Sequence, residues 1–279
     1  MTFPLDHLVI NALFDMDPAA ALMSQLGFTL TPRGFHSLGS INHLIVFEGH
    51  YLELVGLPVA TDVLRRDVLE SPRGLNGLVF RAGDVDACLE QLRGSGLTML
   101  EPQSFSRPVT IGGIEQLARF RTARTAPDLF EAGRVYYCQH YTPELVWHRQ
   151  WMSHANGCSG MSELVVVTTA IETDMPRYAK AAQTRAENRG SDVWTIDLAD
   201  AFRITLMSPA RYRERYGELC ADVDDRSSFF GAVVFRTPDV GRIRDLAALV
   251  PELRAGSDGP WLRLLVPFLN TLLEFRSDR

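Results

Sequence analysis

The sequence predicts an α+β fold made of four βαβββ modules, which pair into two domains with cup-shaped mixed sheets. The first observation is that one kind of strand start occurs four times, at residues 5–10, 75–80, 162–167 and 230–235. Each run is short, apolar and rich in β-branched residues, which is typical of a buried strand. The second observation is that each run leads into a helix-like segment that opens at an Asp, an Asp-Pro or a Pro-Asp step. Internal repetition of this kind constrains the architecture before any other signal does.

The first module reads strand, helix, strand, strand, strand. Its predicted helix begins at Asp17 and carries apolar residues at helical spacing until Gly27, a glycine typical of a helix C-terminus. We expect a short strand at 28–32, followed by a hairpin of two strands at 41–47 and 51–55.

The other three modules follow the same pattern. Predicted strands cover residues 77–81, 115–121, 134–140, 163–168, 193–197, 202–207, 231–236, 262–266 and 271–275. Predicted helices cover 84–94, 174–188 and 238–250. The longest irregular stretch, 101–113, is a candidate lid over the first cup, because long loops in compact domains often carry function.

The order of the modules also predicts the domain organisation. One βαβββ module gives a curled sheet with a helix on one face and an open concave face, and two modules side by side close a cup. We therefore expect a first paired domain at residues 1–145, a connector at 146–160 and a second paired domain at 161–279. Trp147 and Trp151 are expected to anchor the connector against a domain.

Composition excludes several classes of function. The 279 residues are 46% hydrophobic and 22% charged, an ordinary balance for a globular protein. A net charge of −6 argues against nucleic acid as a partner, since phosphate binding needs a basic surface. Four cysteines without CxxC spacing indicate neither a disulfide framework nor a thiolate zinc site. No signal-peptide or membrane-spanning pattern is visible, so we expect a cytoplasmic protein without a membrane partner.

Several short motifs resemble one known superfamily. They are Leu-Asp-His-Leu-Val-Ile at the start, Leu-Gly-Phe-Thr-Leu-Thr-Pro-Arg-Gly after the first helix, Asn42-His43-Leu-Ile-Val-Phe, Tyr51-Leu-Glu-Leu-Val-Gly56, Cys138-Gln-His-Tyr-Thr-Pro-Glu-Leu-Val-Trp147 and His154-Ala-Asn-Gly157. Together they resemble the vicinal oxygen chelate superfamily, and within it the glyoxalase-like proteins with two fused paired domains. That superfamily includes glyoxalase I, methylmalonyl-CoA epimerase, extradiol dioxygenases, fosfomycin-modifying enzymes and antibiotic-binding proteins, so the fold alone does not give the reaction.

The resemblance implies a divalent metal in the cup, held by residues of the first and last strands of the paired modules. On this sequence the implied ligands are His7, Glu53 and His140, with Gln139 as the alternative to His140. The fourth position is Gly77, which has no side chain to offer. This departure puts the four-ligand glyoxalase and epimerase reactions in doubt and favours a more open site.

Strand alternation supports the choice of faces. It places His7 and Glu53 on the cup side of their strands and Leu8 and Leu52 on the helix side. On the last strand of the second module it places His140 and Gln139 on opposite faces. The register of these strands cannot be fixed from the sequence, but an imidazole is the better ligand.

Two imidazoles and one carboxylate suit Fe(II), and they also suit Mn, Zn or Ni. The expected activity is that of a metal-dependent lyase, isomerase or ring-cleaving dioxygenase whose small-molecule substrate binds through two vicinal oxygens. The alternative is a metal-free protein that sequesters a small hydrophobic or aromatic compound in the same cup.

Other polar residues are candidates for the cup wall. His36 and His43 are candidate proton-transfer groups, although each is also explained as a polar residue at a strand end or in a loop. The candidate substrate-binding residues are Arg119, Arg121, Asn42 and Tyr136. The two arginines could hold a substrate carboxylate in a bidentate contact or simply lie on a solvated edge.

The second pair of modules lacks an equivalent site. Glu163 aligns with His7 and Glu274 with Glu53, but Ile204 stands at the third module's last-strand position. Two carboxylates make a poor transition-metal site, so we expect this pair to be degenerate, covering the first pair or serving in a homodimer.

Overall fold

The computed structural model describes residues 2–59, 64–222 and 225–277. The first half of the chain forms an eight-stranded mixed sheet in the order β2-β3-β4-β1-β5-β8-β7-β6. Its strands are β1 (Leu5–Leu13), β2 (Gly34–Phe35), β3 (Ile41–Val46), β4 (Tyr51–Gly56), β5 (Gly74–Arg81), β6 (Gln103–Ile111), β7 (Ile114–Arg124) and β8 (Arg134–His140).

The second half forms another eight-stranded mixed sheet in the order β10-β11-β12-β9-β13-β16-β15-β14. Its strands are β9 (Gly160–Thr168), β10 (Ala186–Asn188), β11 (Val193–Asp197), β12 (Arg203–Met207), β13 (Ser228–Thr237), β14 (Arg254–Asp258), β15 (Trp261–Val266) and β16 (Thr271–Ser277). The two orders are identical when the strands are counted from the start of each half. The prediction of an α+β fold with two paired βαβββ units is confirmed.

One helix follows the first strand of each module, and two further helices lie elsewhere. The helices are α1 (Met16–Gln25), α2 (Arg66–Leu69), α3 (Val85–Gly94), α4 (Ile171–Ala182), α5 (Pro209–Tyr216) and α6 (Val240–Ala247). The aspartates predicted to open helices cap α3 and α6, where Asp84 and Asp239 each accept hydrogen bonds from two backbone amides of the first turn. No helix in the described part of the chain is long and apolar enough to cross a membrane.

The core has two sides, as strand alternation predicts. One cluster joins the buried faces of α1, α3, α4 and α6 to the helix-facing side of both sheets. Across this cluster Phe28 packs on Phe235 and Phe275, and the Tyr137 hydroxyl donates to the carbonyl of Ala181. The two halves therefore share one hydrophobic core on their helix side. Each sheet keeps a separate cluster on its concave face.

Three expected elements differ from those observed. Residues 103–111 are not an irregular lid but strand β6, which pairs along its length with β7. The alternation of buried and exposed residues in β6 is hard to detect in the sequence, because its outward-facing residues are polar. The turn between β6 and β7 consists of Gly112 and Gly113, both with positive φ. The segment 28–32 contains no strand, and α4 ends at Ala182 because Gln183 takes a left-handed conformation.

Candidate functional site

The concave face of the first sheet lines a cavity that is partly open to solvent. Strands β1, β4, β6, β7 and β8 contribute to its wall. Its polar lining includes His7, His36, Glu53, Arg65, Arg107 and Tyr136.

His7 lies on β1 with one nitrogen held from behind. Its Nδ1 is 2.6 Å from Oδ1 of Asp6, which also lies 3.0 Å from Nε2 of His140 and, through Oδ2, 3.3 Å from Nε of Arg81. Burial alone would raise the pKa of Asp6, but His140 and His7 hold it well below its usual range. A carboxylate at this position accepts the Nδ1 proton, so Nε2 presents its lone pair to the cavity side, where the Tyr136 hydroxyl is its partner.

Glu53 lies on β4 and is 7% exposed. Its Oε1 accepts a hydrogen bond of 2.7 Å from the Asn42 amide, while its Oε2 lies 3.6 Å from Nε2 of His7. Burial raises the pKa of Glu53, but His7, His36 and the Asn42 hydrogen bond outweigh it, and the net pKa is lowered. Glu53 is thus an ionised carboxylate with one oxygen anchored and the other facing His7.

Tyr136 completes the group from β8. Its hydroxyl is 3.3 Å from Nε2 of His7. Strand register explains the position: β4 is parallel to β1 with Glu53 opposite Val9, and β8 is parallel to β5 with Tyr136 opposite Val79. Because Gly77 corresponds to His7 in the repeat, Tyr136 stands where the second module would carry the counterpart of Glu53.

His36 lies on the far side of Glu53, with Nε2 3.9 Å from Oε1. Burial lowers the pKa of His36 to about 4; Glu53 opposes this change, and Arg65 and Arg107 add to it. The ring is therefore neutral near pH 7. Its Nδ1 is 2.9 Å from the hydroxyl of Ser40 and its Nε2 is 3.2 Å from the Asn42 amide, so Nε2 accepts and Nδ1 donates.

The structure places His140 and Gln139 away from Glu53. His140 is four residues beyond Tyr136 on β8 and contacts the rear of the site through Asp6. Gln139 faces the helices, where its Oε1 accepts from the backbone amide of Val85 at the start of α3. The backbone position of Gly77 has no room for a metal-ligating side chain, because a Cβ there would lie 2.7 Å from the side chain of Val9.

Asp6, Cys138 and His140 form a second group in which one potential ligand atom of each residue lies within 4.8 Å of the others. Burial raises the pKa of the Cys138 thiol well above its usual range, which disfavours the thiolate form that a metal would bind. The carboxylate of Asp6 already accepts hydrogen bonds from His7 and Arg81. This group is better described as the support of His7 than as a metal centre.

Three further predicted residues, His43, Arg119 and Arg121, do not line the cavity. His43 has its Nδ1 2.8 Å from the carbonyl of Thr31 and is turned away from Glu53. Arg119 and Arg121 lie on the outer face of β7, where Arg121 pairs with Asp86 at 2.7 Å. The alternation of β7 places Phe120 on the cavity side instead.

Sequence reasoning missed the arginines that do face the cavity. Arg107 lines it from β6, Arg124 from β7 and Arg65 from the segment before α2. A usable signal was present in the period-two pattern of Phe105, Arg107 and Val109, which indicates a strand with its arginine on the apolar side. A second cavity, of about 320 Å³, shares Arg65, Arg124 and Tyr136 with the first.

The concave face of the second sheet is filled by the chain itself. Helix α5 places Tyr212 and Tyr216 there, and its Arg215 lies 2.8 Å from Glu163 and 3.3 Å from Glu274. A guanidinium group thus sits between the two carboxylates that align with His7 and Glu53. This arrangement explains how two buried acids are compensated without a metal.

Comparison with protein families gives a match to the model of the glyoxalase-like domain over residues 5–182. None of the curated proteins matches the sequence. Among solved structures, a hypothetical protein from Staphylococcus aureus is 10% identical, with a TM-score of 0.66 and 98% of each chain covered.

Two solved dioxygenase-type structures are similar as well. A mutant of 4-hydroxymandelate synthase from Streptomyces coelicolor has a TM-score of 0.57 and 12% identity, with 99% of this chain and 92% of that chain covered. A fusion of a xylose isomerase-like TIM barrel with 4-hydroxyphenylpyruvate dioxygenase has a TM-score of 0.60 and 13% identity, with 99% of this chain and 49% of that chain covered. At these identities the similarity shows the fold.

Proposed function

Because the chain belongs to the glyoxalase-like domain family, within the vicinal oxygen chelate superfamily, we propose that it is a divalent-metal-dependent enzyme acting on a small oxygen-bearing metabolite. One observation carries the proposal. Nε2 of His7 and Oε2 of Glu53 face each other across 3.6 Å, and the second polar atom of each side chain is held by Asp6 or Asn42. Such anchoring from behind is the usual support of metal-binding imidazoles and carboxylates.

The donor set fits a divalent metal. His7 supplies an imidazole nitrogen and Glu53 a carboxylate oxygen, and His36 is our candidate for the third ligand because its ring is neutral near pH 7 and its Nε2 lies 3.9 Å from Oε1 of Glu53. Two imidazoles and one carboxylate suit Fe, Mn, Zn or Ni with positions left open. His140, which the family resemblance implied as a ligand, supports His7 through Asp6 in this proposal.

A metal held there would supply Lewis acidity to two vicinal oxygens of the substrate. The residues around it would manage protons. Burial raises the pKa of Tyr136, so its hydroxyl stays protonated and donates a hydrogen bond toward the substrate. If His36 is not itself a ligand, its neutral ring is positioned to accept a proton from the substrate. Lyase, isomerase and dioxygenase reactions are all compatible with these roles.

Metal content tests the proposal. The protein is purified without chelator or nickel resin and analysed for metals beside His7→Ala, Glu53→Gln and the control His43→Ala, whose imidazole lies outside the cavity. We expect close to one metal ion per chain in the wild type and the control, and loss of metal in the other two without unfolding.

Unchanged metal content in His7→Ala would overturn the proposal. Absence of metal from the wild type, even after reconstitution with Fe, Mn, Zn and Ni, would do the same. That second result would favour a metal-free protein that binds a small hydrophobic or aromatic compound in the cavity.

A further inference from the structure

Arg107 is a buried cation that forms no ion pair within the described residues. It is 3% exposed on the inner face of β6, and its Nη2 is buried without a hydrogen-bond partner in the described chain. Burial lowers the pKa of Arg107, while Tyr51 and Glu53 oppose this from a distance. A buried charge is costly unless it is paired, so its presence at a cavity wall calls for a partner that is not part of the protein.

The other charges around the cavity are already engaged. Asp67 lies 2.8 Å from Arg65, 3.2 Å from Arg134 and 3.9 Å from Arg124, so one carboxylate serves three guanidinium groups. Glu53, the remaining acid of the wall, is shared between two histidines and an asparagine. The wall therefore carries an excess of positive charge, and a divalent metal beside Glu53 would increase it.

The chain makes room for Arg107. At Gly34, on the neighbouring strand β2, an added Cβ would clash with Oδ1 of Asn42 and would come within 3.1 Å of Cδ of Arg107. The same Oδ1 of Asn42 is a second buried polar atom without a partner in the described chain. The side chains of Arg107 and Asn42 thus both pack against Gly34, and each carries one buried polar atom without a partner in the described chain.

We propose that the substrate is a carboxylate, and that Arg107 binds its carboxyl group. The planar guanidinium matches the two oxygens of a carboxylate in a bidentate contact. The adjacent wall is aromatic: the rings of Phe105 and Phe120 stack with centroids 5.1 Å apart, and Phe105 contacts His36 edge-on. This wall suits a small apolar or aromatic body attached to the carboxyl group.

The inference deepens the proposed function, since it assigns the substrate class of the same cavity, but its test does not need the metal. Benzoate, its neutral analogue benzamide and inorganic phosphate serve as probes, and their binding to the full-length protein is followed by ligand-observed NMR. The proteins compared are wild type, Arg107→Met, Arg107→Lys and the control Arg119→Gln, whose arginine lies outside the cavity. All are measured both metal-depleted and metal-loaded.

In the metal-depleted wild type we expect benzoate to bind at least tenfold more tightly than benzamide. Arg107→Met should lose this preference, Arg107→Lys should keep part of it, and Arg119→Gln should keep all of it. Arg107→Met should also have an equal or higher thermal midpoint without ligand, because it removes an uncompensated buried charge. A purely structural arginine would give a lower midpoint.

Three results would overturn the inference: no benzoate binding, equal binding of benzoate and benzamide, or an unchanged preference in Arg107→Met. Tighter Arg107-dependent binding of phosphate than of benzoate would overturn the assignment to a carboxylate. An Arg107-dependent preference in a protein that never holds metal would support this inference while refuting the metal-dependent function. Metal binding without the preference would do the reverse.

Discussion

At the scale of single residues, the site depends on side chains with two polar atoms, one held by a hydrogen bond from behind and the other facing the cavity. Asp6 anchors His7, and Asn42 anchors Glu53. His140 belongs to this arrangement one step further back, because it shares Oδ1 of Asp6 with His7. The role of a histidine in such a site therefore follows from which atom it contacts, and this can be tested.

We predict that His140→Gln weakens metal binding without abolishing it. Loss of a residue that supports a ligand from behind typically costs 10- to 100-fold in metal affinity, whereas loss of a ligand removes the site. Affinity is measured by competition with a chromogenic chelator, with His7→Ala as the reference for complete loss. Complete loss in His140→Gln would instead identify His140 as a direct ligand.

His36 predicts a pH dependence of stability. Burial lowers its pKa in the folded protein to about 4, against about 6.5 for an unperturbed histidine. Between these values the unfolded chain binds a proton that the folded protein does not, so the free energy of unfolding falls as pH falls from about 6.5 to about 4. The full contribution of His36 is about 3 kcal/mol, at 1.36 kcal/mol per pKa unit.

Urea denaturation between pH 7 and 4.5 measures this effect. The decrease in unfolding free energy should be smaller in His36→Gln than in the wild type, and His148→Gln, which alters the connector outside the cavity, should match the wild type. The pKa of His50 is also lowered to about 4, so part of the decrease should persist. Identical curves for wild type and His36→Gln would contradict the prediction.

The sequence predicts on which face of the sheet each of these residues lies. It does not predict which residues lie next to one another in the folded protein. Alternation correctly placed His7 and Glu53 on the concave face and Leu8 and Leu52 on the helix side. It could not decide between residues four apart on the same face of β8, because the register against β5 depends on long-range pairing. For the same reason Tyr136 was predicted as a substrate contact and not as the counterpart of Glu53 in the repeat.

At the scale of elements, two segments decide what each cup contains. Residues 101–113, which contain strand β6, are predicted from the sequence as an irregular candidate lid, and Arg107 is therefore missed as a residue of the cavity wall. Helix α5 fills the second cup, and no element is predicted there from the sequence. Its mean composition is polar, yet Tyr212 and Tyr216 are buried.

We predict that Arg215→Ala destabilises the protein by about 3 kcal/mol, in the range measured for breaking buried ion pairs. The change leaves Glu163 with Arg276 as its remaining described ion-pair partner and Glu274 with Arg276 and Arg263, so both buried acids lose compensation. Thermal and urea unfolding measure the loss, and Arg213→Ala, an exposed arginine on the same helix, should change little. Metal content should be unaffected, and its loss would place the metal in the second half.

At the scale of the whole molecule, the two halves are joined through their helix side. The packing of Phe28 on Phe235 and Phe275 crosses from one half to the other. The backbone amide of Phe3 also donates to the carbonyl of Ala182, and that of Met161 donates to Nε2 of His50. The predicted boundaries at 1–145, 146–160 and 161–279 remain a proposal, as do the homodimer and the cytoplasmic location.

This shared core predicts cooperative unfolding. We expect a single calorimetric transition, because separating the halves would expose the apolar cluster that both contribute. The ratio of the calorimetric to the van't Hoff enthalpy should be close to one. Two resolved transitions would show that the halves are thermodynamically independent domains.

The position of a bound metal is the most direct test of the proposed function. Crystals of the metal-reconstituted protein, with diffraction recorded at the absorption edge of the metal, locate the ion by its anomalous signal. We predict one peak in the first cup, in contact with Nε2 of His7 and Oε2 of Glu53, and none between Glu163 and Glu274. A peak among Asp6, Cys138 and His140, or no peak in the first cup, would contradict the proposal.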